Sequence, residues 1–228
     1  GMDIMREQLF KPLQQQAYDH IRKQILDHQL TYNQIYSESK LALEMGISRT
    51  PVRDAVHRLY QEGLVDIVPN KGFILHKMTE QDVMEIYEVR SAIEGYCARK
   101  AASDHTSPSV VKLIAQLQSS LEKQKELFES GQGVEVFADE DQYYHKILVE
   151  YSKNSTFQNQ FGRYMYQLKL LACYSLRQPD RMFNTLAEHR EICEAIMEGD
   201  PGRAYQSVMM HMEAPLNMNL KSVYDESE

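Results

Sequence analysis

Two sets of residues in this 228-residue chain combine types and spacings that can do chemistry. The first is Ser48-Arg49-Thr50-Pro51-Val52-Arg53, where two guanidinium groups stand four residues apart. On a helix that spacing puts both on one face, with His57 one turn further, while Val52, Ala55, Val56 and Leu59 form an apolar stripe on another. Ser48 is placed to cap the helix through its hydroxyl, and Pro51 falls in the first turn, where its missing N–H costs little. Arginines in the opening turns of such a helix are the groups that enter a DNA major groove. The plainer alternative is a solvated helix face. The second set is Asp141, His145, His189 and His211. Asp141 and His145 project from the same helical face, and the other two sit on either side of Gly199. A carboxylate and three imidazoles converging inside a bundle suit a borderline divalent metal, whereas taken singly each is an ordinary polar residue.

Holding Arg49 and Arg53 out to a partner requires a scaffold, and the surrounding sequence supplies one. Ala17, Ile21, Ile25 and Leu26 mark an amphipathic helix ending near Leu30, and Ser37 caps a short helix carrying Leu41, Ala42 and Met45. Gly46 then allows the tight turn of a helix-turn-helix. Gly63 closes the helix that carries the arginines, and Leu64–Val68 followed by Gly72–Leu75 reads as two short strands around Pro69-Asn70-Lys71-Gly72. Together these elements predict a winged helix-turn-helix with Lys71 and Gly72 at the wing tip.

The histidines need a different frame. From Thr79 onward the periodicity is helical almost throughout. Thr79 and Asp82 form a capping box before a stripe of Val83, Ile86, Tyr87, Arg90, Ile93, Cys97 and Ala101. Pro108 opens a second helix that ends near Gly131, a third spans Val134 to Tyr151, and a fourth runs from about Thr156 to Leu176. Pro179 begins a fifth that ends at Gly199, and Asp200-Pro201 caps a sixth. The expectation is a mainly α protein: a winged helix-turn-helix over residues 9–78, then an antiparallel all-α bundle of about six helices over residues 79–224.

The first of these regions resembles the amino-terminal domain of GntR-superfamily transcription regulators. The likeness runs from about Leu13 to His76 and rests on Leu41-Ala42, Gly46 through Arg53, Ala55, Leu59 and Glu62-Gly63-Leu64-Val65. It departs at Thr31-Tyr32, where that family usually has Pro-Gly. The helical region resembles the FCD effector-binding domain of the FadR-like branch. The resemblance implies that Arg49 and Arg53 contact bases or nearby phosphates, Ser48 and Thr50 the DNA backbone, and Lys71 and Gly72 of the wing the minor groove. It further implies that Asp141, His145, His189 and His211 ligate a divalent metal (Zn, Ni, Mn or Fe) and that Arg90 and Asn154 serve a small organic acid effector. For Arg90 the residues alone offer an internal ion pair with Glu94, and for Asn154 a helix cap.

Composition bounds these readings. The net charge is −8, which at first opposes DNA binding. Between Gln8 and Met78, however, nine Lys or Arg face seven Asp or Glu, while from Thr79 to the end fifteen face twenty-four. The acidity therefore belongs to the helical region, and the mildly basic first region predicts a local footprint that dimerisation would extend. Cys97, Cys173 and Cys193 lack metal-type pairing and read as reduced core residues. No long apolar run or signal-peptide pattern is present, so the expectation is a cytoplasmic protein without a membrane partner. Gly1 ahead of Met2 reads as an addition to the natural start. The expected function is a homodimeric, ligand-responsive regulator, a repressor in its commoner sign, that binds double-stranded operator DNA and is not an enzyme. Two alternatives remain at this point: a helical-bundle metalloenzyme using the same Asp and His residues, and a constitutive regulator whose metal is purely structural.

Overall fold

A computed structural model describes residues 11–225, with no side-chain description past residue 222; residues 9 and 10 of the expected first domain lie outside the described residues. The chain divides into two compact units between Lys77 and Met78.

In the first unit, helices α1 (Leu13–Leu26), α2 (Glu38–Met45) and α3 (Arg49–Gln61) precede strands β1 (Val65–Val68) and β2 (Gly72–Leu75). The stripe Val52, Ala55, Val56 and Leu59 is wholly buried, and α3 lays it against α1, whose Ala17, Ile21 and Ile25 face inward. Burying each larger aliphatic side chain contributes about 1.5–3 kcal/mol, enough to fix which side of α3 faces outward. Ser37 caps α2 through its hydroxyl, and Gly46 closes it at φ 66°, a left-handed conformation that glycine adopts without strain. Ser48 stands at the N-cap of α3 in extended backbone, but its side chain accepts no capping hydrogen bond, contrary to the sequence expectation. Helix α1 stops at Leu26, earlier than expected. At the departure from the family pattern, Asn33 takes a left-handed φ of 63°, and Thr31 N–H donates to the Tyr36 hydroxyl at 2.8 Å; this segment therefore turns without Pro-Gly.

The strands pair antiparallel from Val65 with Leu75 to Val68 with Gly72. Tyr36, just ahead of α2, joins the same sheet by exchanging two backbone hydrogen bonds with Phe73, at 2.8 and 3.0 Å. Gly72 pays for this closeness with its side chain: a Cβ there would lie 1.9 Å from the Tyr36 carbonyl oxygen, and its φ is 136°.

The second unit contains α4 (Glu80–Ser103), α5 (Pro108–Ser130), α6 (Val134–Tyr151), α7 (Ser155–Arg163), α8 (Met165–Leu176), α9 (Arg181–Met197) and α10 (Pro201–Asp225). That makes seven helices among the described residues rather than about six, because the expected fourth helix breaks at Tyr164, which sits at φ −95°, ψ 0°. The fifth starts at Arg181 rather than at Pro179, since Asp180 is left-handed (φ 59°). The capping box of Thr79 and Asp82 is formed in both directions, at 2.7 and 3.2 Å. Val83, Ile86, Ile93, Leu117, Leu148, Ile192 and Val208 belong to one continuous core. Helix α10 packs along α4 and beside α9, α6 packs against α5 and α8, and α9 also touches α5. Pro215 lies inside α10, so the carbonyl of His211 loses its helical donor. Cys97, Cys173 and Cys193 are buried and free.

Candidate functional site

The bundle brings Asp141, His145, His189 and His211 together. All four are buried, and one donor atom from each lies within 4.8 Å of the others. Asp141 and His145 come from α6, His189 from α9 and His211 from α10. The three imidazoles meet through their Nε2 atoms, at 3.2 Å between His145 and His189, 3.3 Å between His189 and His211, and 3.1 Å between His145 and His211. Asp141 Oδ1 stands 3.8 Å from His145 Nε2 and 3.5 Å from His189 Nε2.

What lies behind each ring decides what the front can do. His145 Nδ1 is 2.5 Å from Glu94 Oε2, His189 Nδ1 is 2.8 Å from Gln124 Oε1, and His211 Nδ1 is 2.6 Å from Glu188 Oε2. Burial alone would push the Glu94 carboxyl up, but Arg90 and His145 beside it more than offset this and hold it at about 2. Glu188, raised by burial, is likewise brought below its ordinary value by its bonds to His211 and Arg181. Neither carboxylate has a proton to give. The Gln124 amide is oriented by its own Nε2, which donates to Ser120 Oγ at 3.2 Å, and Ser120 in turn donates to Glu140 at 2.7 Å. Every Nδ1 therefore carries the hydrogen, and every neutral ring turns an Nε2 lone pair inward.

Three lone pairs pointed at one another at such distances repel unless a cation lies between them. Protonation is a poor remedy, because burial, with His211 and His145 alongside, pushes His189 well below the ordinary histidine value, and burial also lowers His211. The spacing suits a metal: ligands on one face of an octahedral or tetrahedral ion are about 3.0–3.4 Å apart for bonds of about 2.1 Å. The residues present fit a divalent ion. Tyr144 adds rigidity, stacking on His189 at 4.3 Å and donating its hydroxyl to the His189 carbonyl at 2.7 Å.

Two of the supporting acceptors are themselves anchored by arginines. Arg90 Nε donates to Glu94 Oε1 at 2.8 Å, and Arg181 grips Glu188 with two bonds of 2.7 and 2.6 Å. Arg90 thus takes up the ion pair with Glu94 and stands directly behind the His145 support. Sequence reasoning missed Gln124, Glu188 and Arg181; the Glu188 side chain crosses to His211 on the neighbouring helix. The available signal was that Arg181 and Glu188 stand seven residues, or two helical turns, apart on α9. Asn154 is exposed and caps α7, accepting from Thr156 and Phe157 at 3.0 and 3.2 Å; the structure does not bring it to the buried cluster.

In the other unit, Ser48, Arg49, Thr50 and Arg53 are all exposed at the start of α3, and Lys71 is exposed at the wing tip. Arg49 Nε stands 3.5 Å from Glu38 Oε2 while its side chain stays 60% exposed, so the guanidinium is held yet accessible. Gly72, expected at the wing as a DNA contact, owes its identity to the approach of Tyr36 described above.

Comparison with known proteins settles the family. The model described as "Bacterial regulatory proteins, gntR family" matches residues 13–75, and that of the FCD domain matches residues 85–214. This chain belongs to the GntR family of transcription regulators, with an FCD domain. It is 28% identical over 202 residues to a "Probable D-xylose utilization operon transcriptional repressor" of Paenarthrobacter nicotinovorans, covering 88% of this chain and 86% of that one. It is 30% identical to the transcriptional repressor RspR of Escherichia coli K12 over 140 residues, covering 61% and 59% of the two chains. Its fold is shared with a GntR regulator from Rhodococcus sp. RHA1 (TM-score 0.67, 18% identity, covering 92% and 98%). It is also shared with E. coli McbR/YncC (TM-score 0.63, 19% identity, covering 96% and 100%). The matched families and the curated relatives are transcription regulators rather than enzymes, which removes the metalloenzyme alternative. Among the described residues no helix is long and apolar enough to cross a membrane.

Proposed function

We propose that this DNA-binding regulator is a homodimeric, cytoplasmic repressor whose hold on its operator is set by a small organic acid, received at a metal-bearing site in the helical unit. The observation that carries the reading is the triad of inward Nε2 lone pairs at 3.1–3.3 Å, each fixed by a dedicated acceptor at Nδ1. Asp141, His145, His189 and His211 would hold a divalent ion such as Zn, Ni, Mn or Fe, and the ion would supply a Lewis-acid centre for a carboxylate oxygen.

Charge supports an anionic effector. Among the ligands and the groups bonded behind them, Arg90 and Arg181 face Glu94, Glu188 and Asp141, one net negative charge with the imidazoles neutral. A divalent ion turns this into one net positive charge, which a monoanion balances without burying a surplus. Arg90, bonded to Glu94 through Nε, keeps its terminal guanidinium hydrogens for an anion. On the DNA side, Arg49 and Arg53 are the proposed base or phosphate contacts, Ser48 and Thr50 contact the backbone, and the wing at Lys71 and Gly72 reaches the adjoining groove. An acid that binds two arrangements of the dimer unequally shifts the population suited to the half-site spacing.

The test is fluorescence anisotropy with duplexes from the chain's own upstream region at low salt, using metal-analysed protein with and without a panel of carboxylic acids. The reading expects about one metal ion per chain, specific retention of one duplex, and release by at least one acid. Indifference to every duplex overturns the operator assignment, and specific binding that no acid alters leaves only a constitutive regulator.

A further inference from the structure

Next to the exposed cations that open α3 stands a buried acid. Glu38 is the first residue of α2, and its Oε2 lies 3.5 Å from Arg49 Nε. A carboxylate is an awkward neighbour for a surface that meets phosphates, since it repels the polyanion whatever the sequence. Stability does not account for it. The guanidinium it holds is 60% exposed, and an ion pair with so wet a partner adds little to folding.

The acid stands on firm backbone. Tyr36, two residues earlier, exchanges hydrogen bonds of 2.8 and 3.0 Å with Phe73 of the wing, and the Ser37 hydroxyl accepts from Lys40 N–H to cap α2. The first turn of a helix also favours a negative charge. Arg49 is thereby restrained in a way that Arg53 is not. An acceptor on Nε leaves the two terminal amines as the free edge of a planar fork and removes much of the freedom of a long stem. Such an edge can donate in parallel to two acceptors on a base, where geometry decides, whereas a phosphate contact positions the protein without reading sequence. Arg53 is also exposed and has no hydrogen bond or ion pair among the described residues, so it is free to follow a phosphate.

We propose that Glu38 is a positioning residue that sets operator specificity: it aims Arg49 at a base edge and leaves Arg53 to the phosphates. Its charge repels DNA of any sequence, and only a correctly read base offsets that repulsion. The inference rests on the operator contacts proposed above and separates two arginines that they leave together.

Fluorescence anisotropy with the full chain tests it, using the specifically retained duplex, versions of it changed at one base pair, and an unrelated duplex. Arg49→Ala locates the base pair that Arg49 reads, as the position where changes cease to matter. There Glu38→Met should cut discrimination from about fivefold or more to about twofold or less, while other positions keep theirs. Glu38→Met/Arg49→Ala should discriminate no worse there than Arg49→Ala alone. Both Glu38→Met and Glu38→Gln should bind the unrelated duplex about twofold tighter or more at low salt, because a like charge has gone. Glu38→Gln keeps an acceptor for Nε, so it should also retain most of the discrimination, and it serves if Glu38→Met fails to fold. Arg53→Ala should weaken all duplexes alike.

Three results overturn the role of Glu38 and leave the operator reading standing: discrimination at the Arg49 position that survives Glu38→Met, a loss spread over every position, or unrelated DNA bound no tighter by either variant. A base pair that Arg53→Ala ceases to distinguish overturns the division between the arginines. If Arg49→Ala alters discrimination nowhere, the proposal falls together with Arg49 as a base contact.

Discussion

Glu94→Gln tests the inference that acceptors behind the imidazoles prepare them for a metal. Glu94 is 1% exposed, with Oε1 2.8 Å from Arg90 Nε and Oε2 2.5 Å from His145 Nδ1. Gln keeps the shape but presents one acceptor and one donor in place of two acceptors. If the amide nitrogen faces Arg90, two donors meet and the guanidinium is left without a counter-charge. Removing one partner of a buried pair in this way costs about 3–5 kcal/mol. If instead it faces His145, the ring must surrender its Nδ1 hydrogen and turn Nε2–H toward the other imidazoles. Losing the partner behind a ligating histidine lowers metal affinity about 10–100-fold, or about 1.4–2.7 kcal/mol. The two effects separate in the double variant Arg90→Met/Glu94→Gln, which removes the orphaned cation. Its stability should return to within about 1–2 kcal/mol of wild type, and any metal affinity still lost then measures the missing carboxylate charge behind His145. Urea unfolding of metal-free protein reads the first effect, and competition against a chromophoric chelator reads the second. A Glu94→Gln protein with both wild-type stability and wild-type metal affinity would refute the reasoning.

Metal at about 100 times its Kd should stabilise the wild-type protein by about 2.7 kcal/mol, seen as a rise in Tm that a chelator reverses. Asp141→Asn should lose most of that rise, and a full rise in the variant would remove Asp141 from the ligand set. Arg49→Ala should weaken operator binding by about 1–3 kcal/mol if Arg49 reads a base, whereas Lys71→Ala should weaken all duplexes alike and lower the salt slope by about one; unchanged affinity in either case excludes that residue from the interface. Gly72→Ala should destabilise the first unit by about 1–3 kcal/mol or more, because the new Cβ meets the Tyr36 carbonyl and the backbone is held at positive φ. An unaltered melting curve would mean that Tyr36 gives way.

Much of this architecture is legible in the residues because local rules write it. Thr79 with Asp82 announces the start of α4, Gly46 ends α2, and the spacing of Val52, Ala55, Val56 and Leu59 fixes which side of α3 is buried. The break at Tyr164 is not legible, since apolar residues continue at helical intervals through Phe161 and Leu168, and Gly162 alone is a weak signal. Ser48 shows that a residue can occupy a capping position without using its hydroxyl. At the buried cluster, Asp141 and His145 share one helical face, so their pairing is local. The acceptors behind the rings come from α4, α5 and α9, and only packing determines which of them lies opposite which Nδ1. Glu188 illustrates the limit. Adjacent helix positions diverge by about 100°, so spacing turns it away from His189. It meets His211 because α10 lies alongside α9.

The wing hairpin and the segment entering α2 share one backbone ladder through Tyr36 and Phe73. Parts tied at that level cannot be tilted independently, so this half of the molecule would meet a duplex as a single rigid tool. Evolution of a new target sequence would then proceed by exchanging side chains at the tips of α3 and the hairpin, with the frame between them unchanged.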